Sequence, residues 1–298
     1  MKQDYQDLLK PEIINSVSGL SLIARVIVDG QLAGLHSSRR VGQGMEFSQY
    51  RGYEPGDDLR SLDWKMLARS GRYYIKQAEV DTHVSVKFIV DASKSMQHSE
   101  NGISKMEYTR VLVAALAYLS QQQGDAVGLF ALNDQRLQTV YPKVQKQHFN
   151  RLLLELINMK SAGKWPENPL ELEKLHDRSR KELLFFITDL YENNHELIDF
   201  VKRMKTSRNE VILLHVMGQK ELEFDYKGTI TFEDLEQGTR IKINAKEAKK
   251  QYLNQINKNL KSIKEELLAA RITYELLRMN EPLGATIQNF LKKRSSPI

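Results

Sequence analysis

The clearest indication of the fold lies in residues 84–96, VSVKFIVDASKSM. The run Val84–Val90 is short, apolar and rich in β-branched side chains, which predicts a buried strand. A helix is predicted from about Lys105, because apolar residues recur there at helical spacing: Tyr108, Val111, Leu112, Ala115, Leu116 and Leu119. The polar stretch between the two, which begins at Asp91, is therefore predicted to be a strand-to-helix turn.

The same alternation continues along the chain. Apolar runs typical of strands alternate with amphipathic stretches typical of helices, which predicts strands at 125–132, 136–141, 183–188 and 211–216 and helices around 149–156 and 197–204. The strand at 136–141 follows a turn and is expected at an antiparallel edge. Strands that alternate with helices predict an α/β fold, with a mostly parallel sheet covered by helices on both faces.

Composition divides the chain into two regions. Residues 1–81 are rich in Arg, Gly and Asp and form an N-terminal segment, whereas residues 82–298 contain the predicted α/β domain and a C-terminal extension. The extension is predicted to hold a hairpin, a long helix, a strand and a last helix, at residues 228–244, 246–270, 271–277 and 286–293.

Composition and charge limit the classes of function that the chain can have. The chain of 298 residues has no cysteine, which excludes disulfides, thiolate metal sites and cysteine nucleophiles. Its formal charge is +6, but 38 acidic residues are interspersed with the 44 basic ones, so we expect no nucleic-acid partner. The N-terminus has no apolar core like that of a secretory signal, and no apolar run is long enough to span a membrane. We therefore expect a cytoplasmic protein without a membrane span.

Polar side chains follow two of the predicted strands. Asp91, Ser93 and Ser95 come after the first, and Asp189 comes after the strand at 183–188. Because parallel strands end at one edge of a sheet, these residues are expected together. Carboxylate and hydroxyl oxygens are the ligands that Mg²⁺ prefers, so the sequence predicts a magnesium site that can accept a carboxylate from a partner. A helix N-cap is the alternative interpretation of the serines.

Two motifs resemble known families. Residues 91–96, DASKSM, resemble the metal-ion-dependent adhesion site of von Willebrand factor A domains. Residues 44–69, GMEFSQYRGYEPGDDLRSLDWKMLAR, resemble the signature of the bacterial domain-of-unknown-function 58 family, as do residues 34–38, GLHSS, and 232–236, FEDLE. The resemblance covers nearly the whole chain.

That resemblance implies a von Willebrand factor A-like fold and association with a MoxR-type AAA+ ATPase. It implies a role as an adaptor in the assembly or activation of a client protein whose identity the sequence does not give. A non-catalytic role is expected because the sequence offers no evident residue for proton transfer. Many relatives carry N-terminal membrane helices, and this chain resembles the shorter soluble form.

One position departs from the adhesion-site pattern. The site usually takes a Thr from a loop that here lies near residues 161–166, and Lys164 stands at the expected position. A lysine ammonium close to the site opposes a divalent ion by like-charge repulsion. Ser161 can replace the Thr only if the loop is shifted. The motif is therefore interpreted as a degenerate adhesion site that holds Mg²⁺ weakly or not at all.

The signature segment supplies a second set of candidate residues. These are Arg51, Asp57, Asp58, Arg60, Asp63 and Arg69. They are interpreted either as a docking surface for an acidic or phosphorylated partner or as an internal network of Arg–carboxylate pairs. Trp64, in the same segment, is expected to anchor it in a core.

Two other function classes remain as alternatives. A Mg²⁺-dependent phosphohydrolase could use Asp91 as its nucleophile, but aspartate phosphatases need a second Asp two residues later, where this chain has Ser93. A nucleic-acid-binding protein is suggested only by the basic isoelectric point of about 9.2.

Overall fold

A computed structural model describes residues 5–31, 46–54, 57, 62–79, 84–166, 181–191 and 195–295. The chain divides into two compact units. Residues 34–83 form one of them, and the rest of the chain forms the other, which contains the main sheet. The smaller unit is thus inserted in sequence between the first helices and the first strand of the sheet.

The helices and strands of the described residues are as follows. The strands are β1 (Glu46–Gly52), β2 (Tyr74–Glu79), β3 (Ser85–Asp91), β4 (Ser99–Glu100), β5 (Ile103–Ser104), β6 (Ala126–Leu132), β7 (Leu137–Lys143), β8 (Glu182–Thr188), β9 (Asn209–Met217), β10 (Thr229–Glu233), β11 (Arg240–Asn244) and β12 (Thr273–Arg278). The α-helices are α1 (Pro11–Ile14), α2 (Val17–Gln31), α3 (Trp64–Ser70), α4 (Lys105–Gln122), α5 (Lys146–Asn158), α6 (Glu196–Met204), α7 (Gln219–Glu223), α8 (Ala245–Ala269) and α9 (Leu283–Ser295).

A six-stranded sheet forms the centre of the larger unit. Its strand order is β12-β9-β8-β3-β6-β7, and every neighbouring pair is parallel except β6 and β7. The predicted antiparallel edge strand is therefore confirmed. Every residue of β3 and of β6 is buried, as expected of central strands covered on both faces.

Helices cover both faces of this sheet. Phe185 of β8 stacks on Phe88 of β3 and meets Phe290 of α9 on one face, with ring centroids 5.3 and 6.1 Å apart. The next residue, Phe186, points to the opposite face and meets Phe200 of α6 edge-on. The predicted α/β class is confirmed by this layered arrangement.

The N-terminal residues give a helix that the sequence analysis missed. Helix α2 packs against α4, α5 and α9, with a fully buried stripe of apolar side chains: Leu20, Ile23, Ala24, Ile27 and Val28. The predicted assignment of residues 1–81 to one segment therefore needs revision. Residues 1–33 group with the sheet domain, and only residues 34–83 group apart.

The smaller unit is built on an antiparallel pair of strands. Strands β1 and β2 pair with a bulge between Phe47 and Gln49. Helix α3 begins after Asp63, whose Oδ1 accepts hydrogen bonds from the backbone of Lys65 (2.9 Å) and Met66 (3.2 Å). The expectation that Trp64 anchors a core is wrong. As the first residue of α3 it is 64% exposed.

No helix within the described ranges combines the length and the apolar character needed to cross a membrane.

The packing of α2 can be tested with two leucines on the same helix. Leu20 is 0% exposed and Leu22 is 43% exposed. Leu20→Ala is expected to lower the free energy of unfolding by about 2–5 kcal/mol, because it leaves a cavity. Leu22→Ala is expected to change it by less than about 0.5 kcal/mol. Urea unfolding of both variants measures the difference, and equal effects would contradict a buried α2.

Candidate functional site

The predicted site lies at the carboxyl ends of two neighbouring parallel strands. Strands β3 and β8 pair in the register Val90↔Ile187, so Asp91 ends β3 beside the end of β8. Thr188, the last residue of β8, donates a hydrogen bond from its hydroxyl to Asp91 Oδ2 (2.7 Å). Asp189 follows at once. The two carboxylates therefore meet at one edge of the sheet.

Hydrogen bonds connect the four predicted ligand residues. The backbone N–H of Ser93 donates to Asp91 Oδ1 (2.9 Å), which closes the turn after β3. The hydroxyls of Ser93 and Ser95 lie 2.9 Å apart, and Ser95 donates to Asp189 Oδ1 (3.0 Å). All four side chains are buried, and Asp189, the least buried, is 8% exposed. The structure thus brings the four residues into one continuous oxygen-rich cluster.

A buried lysine that the sequence analysis did not identify completes the cluster. Lys105, the first residue of α4, donates from Nζ to Asp189 Oδ2 (2.9 Å) and to Glu221 Oε1 (2.7 Å). Its side chain is 4% exposed. Burial alone would lower the pKa of Lys105, but the carboxylates of Asp189 and Glu221 raise it above its ordinary value. The ammonium therefore stays charged and neutralises part of the site.

The two aspartates differ in pKa because only Asp189 contacts the Lys105 ammonium. Burial, together with the charge of Asp189, raises the pKa of Asp91 to about 6. Burial also acts to raise the pKa of Asp189, but the Lys105 ammonium and the Ser95 hydroxyl outweigh it and hold the pKa below its usual range. Asp91 is thus a buried carboxylate without a cation among the partners described here, although two hydrogen bonds favour its ionised form.

A buried histidine supports the backbone at the end of β8. His215 of β9 contacts the carbonyl oxygen of Asp189 through Nε2 (3.0 Å) and the hydroxyl of Tyr274 through Nδ1 (2.8 Å). Burial lowers the pKa of His215 to about 4, so the imidazole is neutral near pH 7. Its hydrogen bonds hold Asp189 in position without adding charge to the site.

The loop expected to carry the missing Thr does lie beside the site. The N–H of Ala162 donates to the carbonyl of Ala92 (2.9 Å), and the N–H of Lys94 donates to the carbonyl of Gly163 (3.0 Å). The Lys164 side chain is exposed to solvent. Water therefore screens the repulsion that was expected between its ammonium and a divalent ion.

Ser161 in this loop has an unpartnered hydroxyl. Its carbonyl accepts a hydrogen bond from Gln97 Nε2 (2.6 Å), which fixes it against the turn after β3. Its Oγ is buried and has no hydrogen-bond partner within the described part of the chain. Buried hydroxyls are normally satisfied, so this oxygen is available to a ligand or to a ligand-bound water. The sequence analysis had placed Lys164 at the Thr position and allowed Ser161 to replace the Thr only if the loop is shifted.

A third carboxylate faces the same cluster. Glu236 lies in the turn between β10 and β11. Burial, together with the nearby charges of Asp91 and Asp189, raises its pKa to about 7. The sequence analysis gave this residue no role, because nothing in the turn sequence shows which part of the fold it faces.

A second group of possible metal ligands has another explanation. Ligand atoms of His98, Glu100 and Glu221 lie within 4.8 Å of one another. Glu221 already binds the Lys105 ammonium, and Glu100 accepts hydrogen bonds from backbone N–H groups at the start of α7, including that of Gln219 (2.8 Å). Both carboxylates of the group therefore already make structural contacts.

The structure describes some of the six candidate partner-binding residues in the signature segment, residues 44–69. Asp63 caps α3, and Asp57 Oδ2 accepts from the backbone N–H of Glu54 (2.9 Å), so both carboxylates have local structural roles. Arg69 lies exposed in the last turn of α3. Asp58, Arg60 and the side chain of Arg51 lie outside the described residues. Whether these six residues bind a partner stays a prediction.

Comparisons with known proteins give a family and distant structural likenesses. The model of the family described as protein of unknown function DUF58 matches residues 49–262. An uncharacterized protein of Mycobacterium tuberculosis is 24% identical over 237 residues, which cover 78% of this chain and 74% of the relative. An uncharacterized protein of Mycobacterium bovis matches to the same extent.

Solved structures are similar at lower identity. The conserved hypothetical protein BatB of Bacteroides thetaiotaomicron is 15% identical, with a TM-score of 0.47, over 70% of this chain and 98% of that one. The SpRpn10 VWA domain is 12% identical, with a TM-score of 0.40, over 70% and 95%. These TM-scores are too low to carry an argument, so the assignment of the fold class rests on the sheet topology.

The role of Lys105 can be tested by removing its charge. Lys105→Met is expected to lower the free energy of unfolding by about 3–5 kcal/mol, because it leaves buried carboxylates without their cation. Lys261→Met is the control, since Lys261 is 78% exposed and 3.9 Å from Glu265. Its loss is expected to cost less than about 1 kcal/mol. Denaturant unfolding measures both, and a Lys105→Met variant as stable as the control would contradict the charge pairing.

Proposed function

We propose that this chain, which belongs to the family of proteins of unknown function DUF58, is a non-catalytic protein-interaction module whose docking site holds a divalent cation. The observation that carries the proposal is the meeting of Asp91 and Asp189 at one sheet edge, with the hydroxyls of Ser93 and Ser95 between them. Protein interaction is the ordinary role of von Willebrand factor A-like folds that carry such a cluster.

The donor set fits Mg²⁺. Asp91, Ser93, Ser95 and Asp189 would hold the ion, since they offer only oxygen atoms, which this hard cation prefers. The buried hydroxyl of Ser161, which has no hydrogen-bond partner among the described residues, supports this fit as a further oxygen available to the ion or its water. When bound, the ion supplies an electrophilic position that can take a carboxylate oxygen from a partner.

Lys105 tunes the charge of the site. Its ammonium neutralises Asp189 and binds Glu221, so Asp91 is the carboxylate whose charge remains for the cation. A bound divalent ion then keeps most of its positive charge, which favours an acidic partner. The site is degenerate in the sense that a serine hydroxyl or water replaces the expected Thr.

We propose no catalytic role. The position two residues after Asp91, where aspartate phosphatases carry an acid/base carboxylate, holds Ser93. A serine hydroxyl cannot exchange a proton in that role near neutral pH. The chain is proposed to act in the cytoplasm with a MoxR-type AAA+ ATPase and a client protein, as the sequence signature at residues 44–69 implies.

Metal binding tests the first part of this proposal. Titration calorimetry of the wild-type chain with Mg²⁺ or Mn²⁺ is expected to show one site. Asp91→Asn is expected to weaken binding by about tenfold or more, because it removes a charge next to the ion. Asp199→Asn removes an exposed carboxylate on α6 and is expected to bind as the wild type does. Equal affinities in the two variants would contradict a site at Asp91.

Partner capture tests the second part. The wild-type chain on a resin is expected to retain an AAA+ ATPase from native lysate more strongly with magnesium than with EDTA. The Asp91→Asn variant is expected to lose that magnesium dependence, while Asp199→Asn keeps it. Mass spectrometry of the bound fraction gives the comparison. If the amount of captured ATPase is the same with magnesium as with EDTA, and the same for the wild type as for Asp91→Asn, then the docking surface lies elsewhere.

A further inference from the structure

The hairpin formed by β10 and β11 presents its turn through a fixed set of hydrogen bonds. The N–H of Asp234 donates to the carbonyl of Thr239 (2.8 Å), and the N–H of Gly238 donates to the carbonyl of Asp234 (2.8 Å). Asp234 Oδ1 accepts from the N–H groups of Glu236 (2.8 Å) and Gln237 (2.9 Å). Gly238 has φ of 72°, which glycine adopts without strain. These hydrogen bonds hold the backbone from which the Glu236 side chain projects.

This turn is attached to the strand end that carries the site. Tyr191 donates from its hydroxyl to Asp234 Oδ2 (2.8 Å), and its backbone N–H donates to Asp189 Oδ1 (3.3 Å). One residue thus connects the hairpin to the second aspartate of the site. The hairpin cannot move away from the site without breaking the Tyr191–Asp234 bond.

The Glu236 carboxyl is the group that this arrangement brings to the cluster. Its Oε1 is buried and lacks a hydrogen-bond partner among the residues that the structure describes. Its neighbours include Asp91, Asp189 and the hydroxyl of Ser95. A third carboxylate placed against two others is repelled unless it is protonated or a cation lies beside it.

Burial of the site has a second implication. A partner carboxylate must reach the cation directly, yet Ser93 and Ser95 are 1% and 5% exposed. An external acidic side chain therefore needs a contact of this chain to give way first. Glu236 carries the same chemical group that the partner would bring, and it already faces the cluster.

We propose that Glu236 is a built-in ligand of the cation site, which occupies the position that a partner's carboxylate takes when it docks. This inference rests on the proposed function, since it presumes a divalent ion at Asp91 and Asp189. The partner site is then closed in the isolated chain. Docking requires exchange of one carboxylate for another and release of the hairpin turn.

The inference can be tested with Mn²⁺ as the probe of the full chain. The affinity is measured by electron paramagnetic resonance, and the water bound to the ion by proton relaxivity. Glu236→Gln is expected to weaken Mn²⁺ binding about tenfold, since one charge beside the ion is lost. The relaxivity of the bound ion is expected to rise, because water replaces the carboxylate. Glu236→Ala is expected to give the same two changes.

Controls separate this inference from the proposed function. Glu233→Gln removes one charge from the same hairpin, at an exposed residue paired with Arg240 (2.9 Å), and is expected to leave both readouts unchanged. One outcome would overturn the inference alone. In that outcome Mn²⁺ binds the wild-type chain, Asp91→Asn abolishes binding, and Glu236→Gln has the same affinity and relaxivity as Glu233→Gln. Glu236 is then not a ligand, although the metal site at Asp91 is supported. If the wild-type chain itself binds no Mn²⁺, the proposed function fails and the inference fails with it.

Discussion

The parallel pairing of β3 with β8 is the constraint on which the site depends. It places the ends of two buried strands side by side, so that Asp91 and Asp189 leave the sheet at the same edge. Two carboxylates in such a position repel each other and lose hydration. The buried ammonium of Lys105 offsets that cost at Asp189. Hydroxyl and backbone donors, among them Thr188, support Asp91.

The charge pattern at this edge is therefore uneven, because only one of the two aspartates is paired with a buried cation. One aspartate is paired with an internal cation and serves as a structural anchor. The other keeps a charge that internal contacts satisfy only through hydrogen bonds. Glu236 adds a third carboxylate from a hairpin that lies outside the main sheet. The proposed divalent ion would offset the repulsion among these three carboxylates.

The sheet strands and the acidic pair could be predicted because their signals are local. The run at 84–90 and the positions of Asp91 and Asp189 after strands are visible in the sequence. The role of Lys105 in the site could not be predicted, because its partners lie 84 and 116 residues away in the sequence. A lysine with no such context is ordinarily predicted to lie at the surface. Helix α2 had helical periodicity, but its role depends on packing against helices distant in the chain.

Helix α2 has a consequence for how the protein is made. It leaves the ribosome well before α9 (Leu283–Ser295), one of the helices that cover its apolar stripe. Contacts so far apart in sequence delay the completion of folding. This apolar surface is therefore not fully covered until α9 has left the ribosome. A nascent chain that stalls within β12 would expose the apolar stripe of α2 to chaperones.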